Sequence, residues 1–277
     1  MSSYPPPTLA CRRAALYDSL LRMARFDPLR QRLLRVEWLD CARQVALFGI
    51  AYTGYRMVRG IADDPGVIAA AFDHARSLIG IEKGLHIFIE PAVNSWANGT
   101  LIGDIASWLY INAQTSVTVG SLAFLYLFHN PSFYFVRNMF MVAMGIALVG
   151  YTVFPTAPPR FFPEWGFEDS VSSFVGVTHD SGVNALFNPY AAVPSMHVCF
   201  ALMIGIPLAR LVKNRVGRMF WSVYPLLVVF VIVATGNHFF ADAFLGALTA
   251  GVSAYAASWL ARARPAAWAF SPERATA

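Results

Sequence analysis

The chain has 277 residues, of which 57% are hydrophobic and only 13% are charged, and its mean hydropathy is +0.49. A soluble domain usually carries about 25% charged residues, so the composition excludes a water-soluble globular protein and indicates an integral membrane protein. The net charge of +5 does not indicate a nucleic-acid partner, because the arginines cluster at the ends of apolar segments, as membrane topology predicts. The predicted partner is therefore the lipid bilayer.

Residues 1–40 form a predicted cytoplasmic N-terminal segment, in which leucine and methionine side chains alternate with seven arginines. This pattern is typical either of an amphipathic helix on an anionic membrane surface or of a solvated tail. Acidic residues within the segment argue against an organellar transit peptide. Because three cysteines at no metal-binding spacing form no disulfide framework, we expect free thiols. These cysteines are Cys11, Cys41 and Cys199.

A membrane-spanning helix needs about 20 mostly apolar residues, and six segments approach this requirement. We therefore predict an all-α polytopic domain over residues 41–262, built as a bundle of six transmembrane helices, with a cytoplasmic tail over residues 263–277. The first span carries two arginines, and the fourth is short and contains a proline. Residues 68–98 are amphipathic and are predicted to lie in the outer membrane interface. The predicted spans are residues 41–58, 104–128, 133–154, 195–211, 219–236 and 239–260.

The lysine and arginine residues predict the orientation of this bundle. With the N-terminus inside, 16 of the 21 fall on the inner side and 5 on the outer side. Cytoplasmic segments carry the excess of positive charge. Both termini are therefore predicted to be cytoplasmic, and the predicted location is the cell (plasma) membrane.

Three motifs fall at predicted outer ends of spans. They read YTVFPTAPPR over residues 151–160, AAVPSMH over residues 191–197 and GNHFFAD over residues 236–242. Charge counts alone bring them to one membrane face, although they are far apart in the sequence. We therefore expect one shared site on the extracytoplasmic side.

The second and third motifs contain the predicted catalytic residues His197, His238 and Asp242. Because His238 and Asp242 are four residues apart, a helix places them on one face. Asp242 could accept the proton of one ring nitrogen of His238, which leaves the other nitrogen available as a nucleophile. His197 follows Pro194 and Ser195 at a predicted helix start, where a second histidine can transfer a proton to or from a reacting oxygen.

Two further residues are predicted to bind substrate phosphate. Arg160 carries a planar, permanently charged guanidinium that suits phosphate oxygens, and Ser195 supplies a hydroxyl beside a helix N-terminus, which favours anions. In a more ordinary interpretation, the prolines before Arg160 simply end a helix and Arg160 anchors lipid headgroups. A metal site formed by His197, His238 and Asp242 is a further alternative. No additional ligand cluster stands out, so neither a metal nor a cofactor is predicted.

These motifs resemble those of the type 2 phosphatidic acid phosphatase superfamily, in the branch that contains the inositol phosphorylceramide synthases. The superfamily pattern is KxxxxxxRP, PSGH and SRxxxxxHxxxD. Here PSMH at residues 194–197 is similar to the second part, and His238 with Asp242 is similar to the third. The resemblance extends from the second span onward. It implies a six-helix bundle, a phosphohistidine at His238 oriented by Asp242, and acid–base catalysis by His197 without a required metal.

The sequence departs from the phosphatase pattern at three positions. Val231 and Ile232 stand where the pattern has serine and arginine, and Val153 stands where it has lysine if Arg160 is aligned with the arginine of the first part. The synthase branch resembles the sequence more closely at these positions. This favours transfer to an alcohol over hydrolysis.

The predicted activity is therefore metal-independent phosphotransfer from a lipid donor to an alcohol, with hydrolysis of a lipid phosphate as the alternative. Proton-coupled transport is an alternative from another class, since histidine and aspartate also form proton relays in membranes. The ionisable residues, however, gather at one face rather than at the midplane, and the sequence contains no inverted repeat. A purely structural role gives no reason for the motifs to converge. The sequence predicts neither the donor, the acceptor nor the oligomeric state.

Overall fold

A computed structural model describes residues 38–59, 64–176 and 190–264. The predicted N-terminal segment 1–40 and the tail 263–277 lie almost entirely outside these ranges, as does Cys11, whereas Cys41 and Cys199 are free thiols. In the described ranges every regular element is helical, apart from one isolated β-bridge. The predicted all-α class is confirmed.

The described ranges contain nine α-helices. Two short 3₁₀-helices, Pro159–Phe161 and Pro163–Trp165, follow the fifth of them. The α-helices are α1 (Trp38–Arg59), α2 (Pro65–Gly84), α3 (Glu90–Ala97), α4 (Leu101–Phe128), α5 (Asn130–Val153), α6 (Ser170–Val175), α7 (Met196–Leu211), α8 (Arg215–Ala234) and α9 (Phe240–Ala263).

Among the described residues, four helices are long and apolar enough to cross a membrane, namely α4, α5, α8 and α9. They coincide with four predicted spans. Helix α7 coincides with the predicted fourth span but has only 16 residues, and a helix rises about 1.5 Å per residue, so it is shorter than the hydrocarbon core of about 30 Å. Helix α1 coincides with the predicted first span but is not apolar enough to qualify. The count of six spans stays a prediction.

Proline and polar caps determine where several helices begin. Helices α2, α3 and α5 each have a proline in the first turn, where the backbone N–H that proline lacks has no helical partner. Thr100 caps α4, with its hydroxyl accepting from the backbone N–H of Gly103 at 3.3 Å. Asn214 caps α8 by accepting from the N–H of Val216 at 2.9 Å. These polar residues satisfy amide groups that would otherwise lack partners.

Helices α7 and α8 are joined by a short connection and pack closely at Gly205. A Cβ atom at this position would lie 2.8 Å from the carbonyl oxygen of Trp221 and 3.2 Å from Cγ of Pro225. A small residue lets two helix backbones approach in this way. The contact holds α7, which carries a candidate histidine in its first turn, against α8.

Two apolar clusters organise the bundle. The larger cluster joins α5, α7 and α9 through buried side chains that include Phe140, Met203 and Ala250. A second cluster packs α2, through residues such as Ile79, against the segment after α5 and against Phe239. Helices α2 and α3, which cover the predicted interfacial segment, therefore pack on the end of the bundle where the three motifs lie.

The chain divides into two compact units, Met1–Ala46 and Leu47–Ala277. Of the first unit, only the start of α1 is described, and there the side-chain amide of Gln44 donates to Asp40 Oδ1 at 3.1 Å. All candidate site residues belong to the second unit.

Candidate active site

Backbone hydrogen bonds join the three motifs in pairs, and we call these bonds the backbone frame. One bond links the first motif to the residue before the second motif, one links the first to the third, and one links the second to the third. The predicted convergence of the motifs is therefore present as direct contact. The bonds run from Thr156 N to Tyr190 O (2.8 Å), from Arg160 N to Gly236 O (2.8 Å) and from Ser195 N to Asp242 O (3.1 Å).

The His238 side chain pairs with Asp242 in the first turn of α9. The distance from His238 Nδ1 to Asp242 Oδ2 is 3.2 Å, and the same carboxylate oxygen accepts the backbone N–H of Phe239 at 2.9 Å. Both side chains are buried, with His238 5% exposed and Asp242 fully enclosed. The carboxylate can therefore hold a proton on Nδ1 and leave Nε2 with a free lone pair, in the tautomer that a nucleophilic histidine requires.

The electrostatic surroundings of His238 favour its neutral form. Burial lowers the pKa of the imidazole, the positive charge of Arg160 lowers it further, and a backbone hydrogen bond at Ala192 acts in the opposite direction. An aspartate partner alone would make the ring more basic, but here desolvation outweighs that effect. The ring is therefore uncharged at neutral pH, when its lone pair is needed.

His197 lies in the first turn of α7 and faces His238. The two imidazole rings meet edge to face, with centroids 5.4 Å apart, so one phosphate group could contact both. The other face of His197 stacks on Tyr110 of α4, with centroids 4.5 Å apart and an angle of 19° between the rings. Sequence reasoning missed Tyr110, because it lies in a spanning helix and belongs to none of the three motifs.

Arg160 lies beside the histidines, in the 3₁₀-helix Pro159–Phe161. Its guanidinium donates a hydrogen bond to the side-chain oxygen of Asn237, and its Nε is 3.8 Å from Asp169 Oδ2. These two partners hold the side chain in place. It is 19% exposed, so part of it remains accessible from outside. This position suits both the predicted phosphate ligand and an anchor for lipid headgroups.

Gly236 allows the turn that brings Asn237 and His238 to Arg160. Its φ angle is +66°, in the left-handed region that side chains disfavour. A Cβ atom there would lie 3.0 Å from the carbonyl oxygen of Glu168 and 3.2 Å from Nδ2 of Asn94. Only glycine fits this backbone conformation and this close approach together.

Ser195 is fully buried at the start of α7 and faces α9. A Cβ atom built on Gly246 of α9 would lie 2.3 Å from the Ser195 carbonyl oxygen and 3.4 Å from the Ser195 Cβ. The hydroxyl has no hydrogen-bond partner among the described residues. The structure therefore brings the backbone of Ser195 to Asp242 and buries its hydroxyl beside α9.

Two buried glutamates behind the site were also missed by sequence reasoning. Glu82 ends the buried stripe of α2, and Glu90 is the first residue of α3; they are 1% and 0% exposed. The sequence contained a signal for Glu82, because this residue stands three and four residues after the buried Ile79 and Leu78, on the apolar face of the helix. An acidic residue on an apolar helix face is unusual enough to mark a buried role.

A narrow apolar crevice opens between α4, α7 and α8 and reaches His197. Its walls include Leu109, Phe200 and Val228, and its polar groups include Tyr110 and Gln114. The walls belong to apolar helices of the bundle, so the crevice suits a hydrocarbon chain. Across the described ranges, no group of three or more His, Cys, Asp or Glu side chains is arranged to hold a metal ion.

A sequence profile of the PAP2 superfamily matches residues 76–256. The chain belongs to the PAP2 superfamily. The matched range contains all five candidate site residues. It also covers all or most of each of the four described helices that could span a membrane. The resemblance inferred from the motifs is confirmed. The chain is an integral membrane protein of a family that acts on lipid phosphoesters.

The chain is also similar to the phosphoinositol dihydroceramide synthase of Bacteroides thetaiotaomicron. The two sequences are 26% identical, over 84% of this chain and 78% of the synthase. No solved structure shows significant similarity to the chain.

Proposed function

We propose that the chain is a lipid phosphotransferase, which moves a phosphoryl group or a phosphorylated headgroup from a lipid donor to an alcohol through a phosphohistidine at His238. The observation that carries the proposal is the contact of His238 with Asp242 at 3.2 Å beside the ring of His197. This arrangement supplies a neutral nucleophile, a carboxylate to stabilise it and a second group for proton transfer.

In the first step, Nε2 of His238 attacks phosphorus, a P–N bond forms, and the bond between phosphorus and the leaving lipid oxygen breaks. Asp242 stabilises the positive charge that develops on the ring. The negative charge of the bound phosphate favours the protonated form of His197, which donates its proton to the leaving oxygen. The first product is the lipid alcohol, and the phosphorus remains on His238.

In the second step, the acceptor hydroxyl attacks phosphorus while neutral His197 takes its proton. The P–N bond breaks, and its electron pair returns to Nε2 of His238. Both histidines regain their starting protonation states, so the cycle is balanced. No step requires an oxidant, a reductant or a group from outside the two substrates.

Arg160 and Ser195 are the proposed phosphate ligands. Arg160 offers charge-assisted donors beside His238, and its charge already acts on that ring. The buried hydroxyl of Ser195 has no partner among the described residues and lies two residues before His197. A phosphate oxygen would satisfy this donor.

The choice between an alcohol and water as acceptor rests on the residues around phosphorus. Val231 and Ile232 are buried apolar side chains where the phosphatase pattern has serine and arginine, so a cationic ligand for a phosphate monoester is missing there. A phosphodiester carries less negative charge and needs fewer cations. The apolar walls of the crevice at His197 in turn suit contact with the hydrocarbon chain of a lipid acceptor.

The name of the Bacteroides relative indicates the substrates to test first. We propose that the transferred group is phosphoinositol, that the donor is an inositol phospholipid and that the acceptor is the hydroxyl of a dihydroceramide. Purified protein is incubated with a donor labelled in its headgroup, with and without the acceptor. A new labelled lipid that requires the acceptor supports transfer. Release of free phosphate or inositol phosphate as the sole product identifies water as the acceptor, and the absence of any product contradicts the proposal.

Two matched variants test the role of the site. His238→Ala removes the proposed nucleophile, whereas His129→Ala removes a histidine between α4 and α5, at the opposite end of the bundle. We expect no labelled product from His238→Ala and near wild-type product from His129→Ala. Equal rates in the two variants would remove His238 from the mechanism.

We also propose that both termini are cytoplasmic and that the site faces the outside of the plasma membrane, as the charge distribution predicts. Glu164 and Lys213 are both exposed side chains, and they lie on opposite predicted faces. A membrane-impermeant thiol reagent added to intact cells is expected to label Glu164→Cys and not Lys213→Cys. The reverse pattern would place the site in the cytoplasm.

A further inference from the structure

The start of α9 is held by three carboxyl groups. Three successive backbone amides each donate to a different acidic side chain, and these side chains come from α2, α3 and α9. A helix start normally relies on one capping side chain and water, so this arrangement fixes the turn far more tightly. The bonds run from Phe239 N to Asp242 Oδ2 (2.9 Å), from Phe240 N to Glu90 Oε1 (3.0 Å) and from Ala241 N to Glu82 Oε1 (2.7 Å).

The second oxygens of Glu82 and Glu90 have an unusual environment. Both Oε2 atoms are buried, and no donor reaches them from the described residues. Glu90 raises the pKa of Glu82, so the two carboxyl groups act on each other. Two ionised carboxylates would place neighbouring negative charges in a dry environment, which is costly. One proton on the pair removes this repulsion.

We propose that Glu82 and Glu90 are positioning residues for the nucleophile, which act as a proton-sharing carboxyl pair that holds the first turn of α9. His238 immediately precedes this turn, and Asp242 lies within it. Movement of the turn would change the distance between them, which is 3.2 Å. Neither glutamate touches the phosphoryl group, so their effect on the reaction runs through the backbone. This inference rests on the proposed function of His238.

The pair also makes the site sensitive to alkaline pH. The pKa of Glu82 is raised to about 8, first by burial and then by Glu90 and the negative charge of Asp242, against the opposing effect of the Ala241 amide. Those two acids are the charged groups of α3 and α9 that act on Glu82. Loss of the shared proton would place two carboxylates side by side in a dry environment, and their repulsion would loosen the turn.

The test compares two substitutions of Glu82 with a capping residue elsewhere. Glu82→Gln keeps an oxygen for Ala241 and supplies an N–H to Glu90, so it imitates the protonated acid. Glu82→Ala removes both bonds. Asn214→Ala removes the cap of α8, which lies in the connection between α7 and α8, and serves as the control.

We expect wild-type turnover to fall as the pH rises through about 8, and Glu82→Gln to retain turnover there. Glu82→Ala is expected to lower kcat by about tenfold to a hundredfold, the usual effect of a small misplacement of a reacting group, with little change in KM. Asn214→Ala should change neither quantity by more than about twofold. A Glu82→Gln variant whose alkaline decline matches that of the wild type would overturn the proposal, whether or not Glu82→Ala folds.

A second readout does not depend on catalysis. Because the pKa of Glu82 is raised from its ordinary value of 4.5 to about 8, the folded protein holds this proton more tightly than the unfolded chain. The free energy of unfolding should therefore decrease as the pH rises from about 4.5 to about 8, and level off above that. In detergent, Glu82→Gln should lose this part of the decrease. If no lipid is turned over but the stability difference is present, the proposed function fails and the carboxyl pair stands. If lipid is turned over and the difference is absent, the carboxyl pair fails alone.

Discussion

The Asp242→Asn variant gives a sharp test of the nucleophile, because the structure predicts which way the amide will turn. Oδ2 of Asp242 accepts both from His238 Nδ1 and from the backbone N–H of Phe239. The amide nitrogen of asparagine cannot occupy this position, since it would face the N–H of Phe239. The amide oxygen should therefore take the place of Oδ2, and the proton should stay on Nδ1 of His238.

We therefore expect Asp242→Asn to remove the negative charge beside His238 while the proton stays on Nδ1. A hydrogen bond to a charged group contributes about 1.5–3 kcal/mol, against about 0.5–1.5 kcal/mol for a neutral one. The difference is about 1–1.5 kcal/mol in the transition state, where the ring of His238 becomes positive, and this corresponds to roughly fivefold to thirteenfold in kcat. Where a similar substitution imposes the wrong tautomer, the loss is about 10⁴-fold.

The substitution should also lower the stability of the fold. The asparagine nitrogen would replace Oδ1, which is buried and has no hydrogen-bond partner among the described residues. An unsatisfied buried donor costs about 1–3 kcal/mol. Thermal unfolding in detergent, monitored alongside activity, separates this effect from the effect on turnover.

The assay is formation of the labelled phosphoenzyme in a single turnover, with Asp242→Ala as the comparison. Alanine removes both the charge and the orientation of His238, so we expect a much larger loss than with asparagine. Equal losses in the two variants would refute the argument from orientation. Phosphoenzyme formation at the wild-type rate in Asp242→Asn would refute the role of the charge.

Three further substitutions test other parts of the site. His238→Ala should abolish both turnover and the acid-labile phosphoenzyme, and any trapped phosphoprotein in this variant would point to another nucleophile. Arg160→Lys keeps the charge but loses the planar fork, so kcat/KM should fall by at least about tenfold, or about 1.4 kcal/mol; unchanged turnover in Arg160→Ala would reduce this residue to a headgroup anchor. Gly246→Ala would bring a Cβ atom within 2.3 Å of the Ser195 carbonyl oxygen, so the protein should unfold at a distinctly lower temperature, and a wild-type melting temperature would argue against the close contact of α7 with α9.

The convergence of the motifs could be predicted because it follows from local rules. Charge counts placed the three motifs at one end of the bundle, and a spacing of four residues predicted the contact between His238 and Asp242. These inferences need only the direction of each helix and its periodicity. They do not require knowledge of which helices are neighbours.

The remaining parts of the site depend on packing between helices, which no local pattern specifies. Tyr110 reaches His197 because α4 packs beside α7, and nothing in the sequence around Tyr110 indicates that neighbour. Glu90 begins a short helix, and its carboxylate accepts from the backbone N–H of Phe240, which lies 150 residues away. Such contacts are set by the whole fold, so they appeared only in the structure.

The bounds of α7 show a limit of predicting spans from hydropathy. Residues 195–211 were predicted as a span because they are apolar, but the helix has only 16 residues and begins after the cis peptide bond between Val193 and Pro194. Hydropathy measures composition and does not measure how far a helix extends. Helix α7 is enclosed by its neighbours for much of its length, so it need not match the thickness of the membrane.

The backbone frame also determines when a growing chain can become active. Two of its three hydrogen bonds end at Gly236 and Asp242, in the part of the described chain that the ribosome makes last. A nascent chain that has inserted everything through α7 already contains Arg160 and His197, but it lacks both His238, the proposed nucleophile, and the turn that orients it. Under the proposed mechanism, chemistry on lipid phosphates must therefore wait until α9 enters the membrane, and a chain interrupted before that point is expected to be inert.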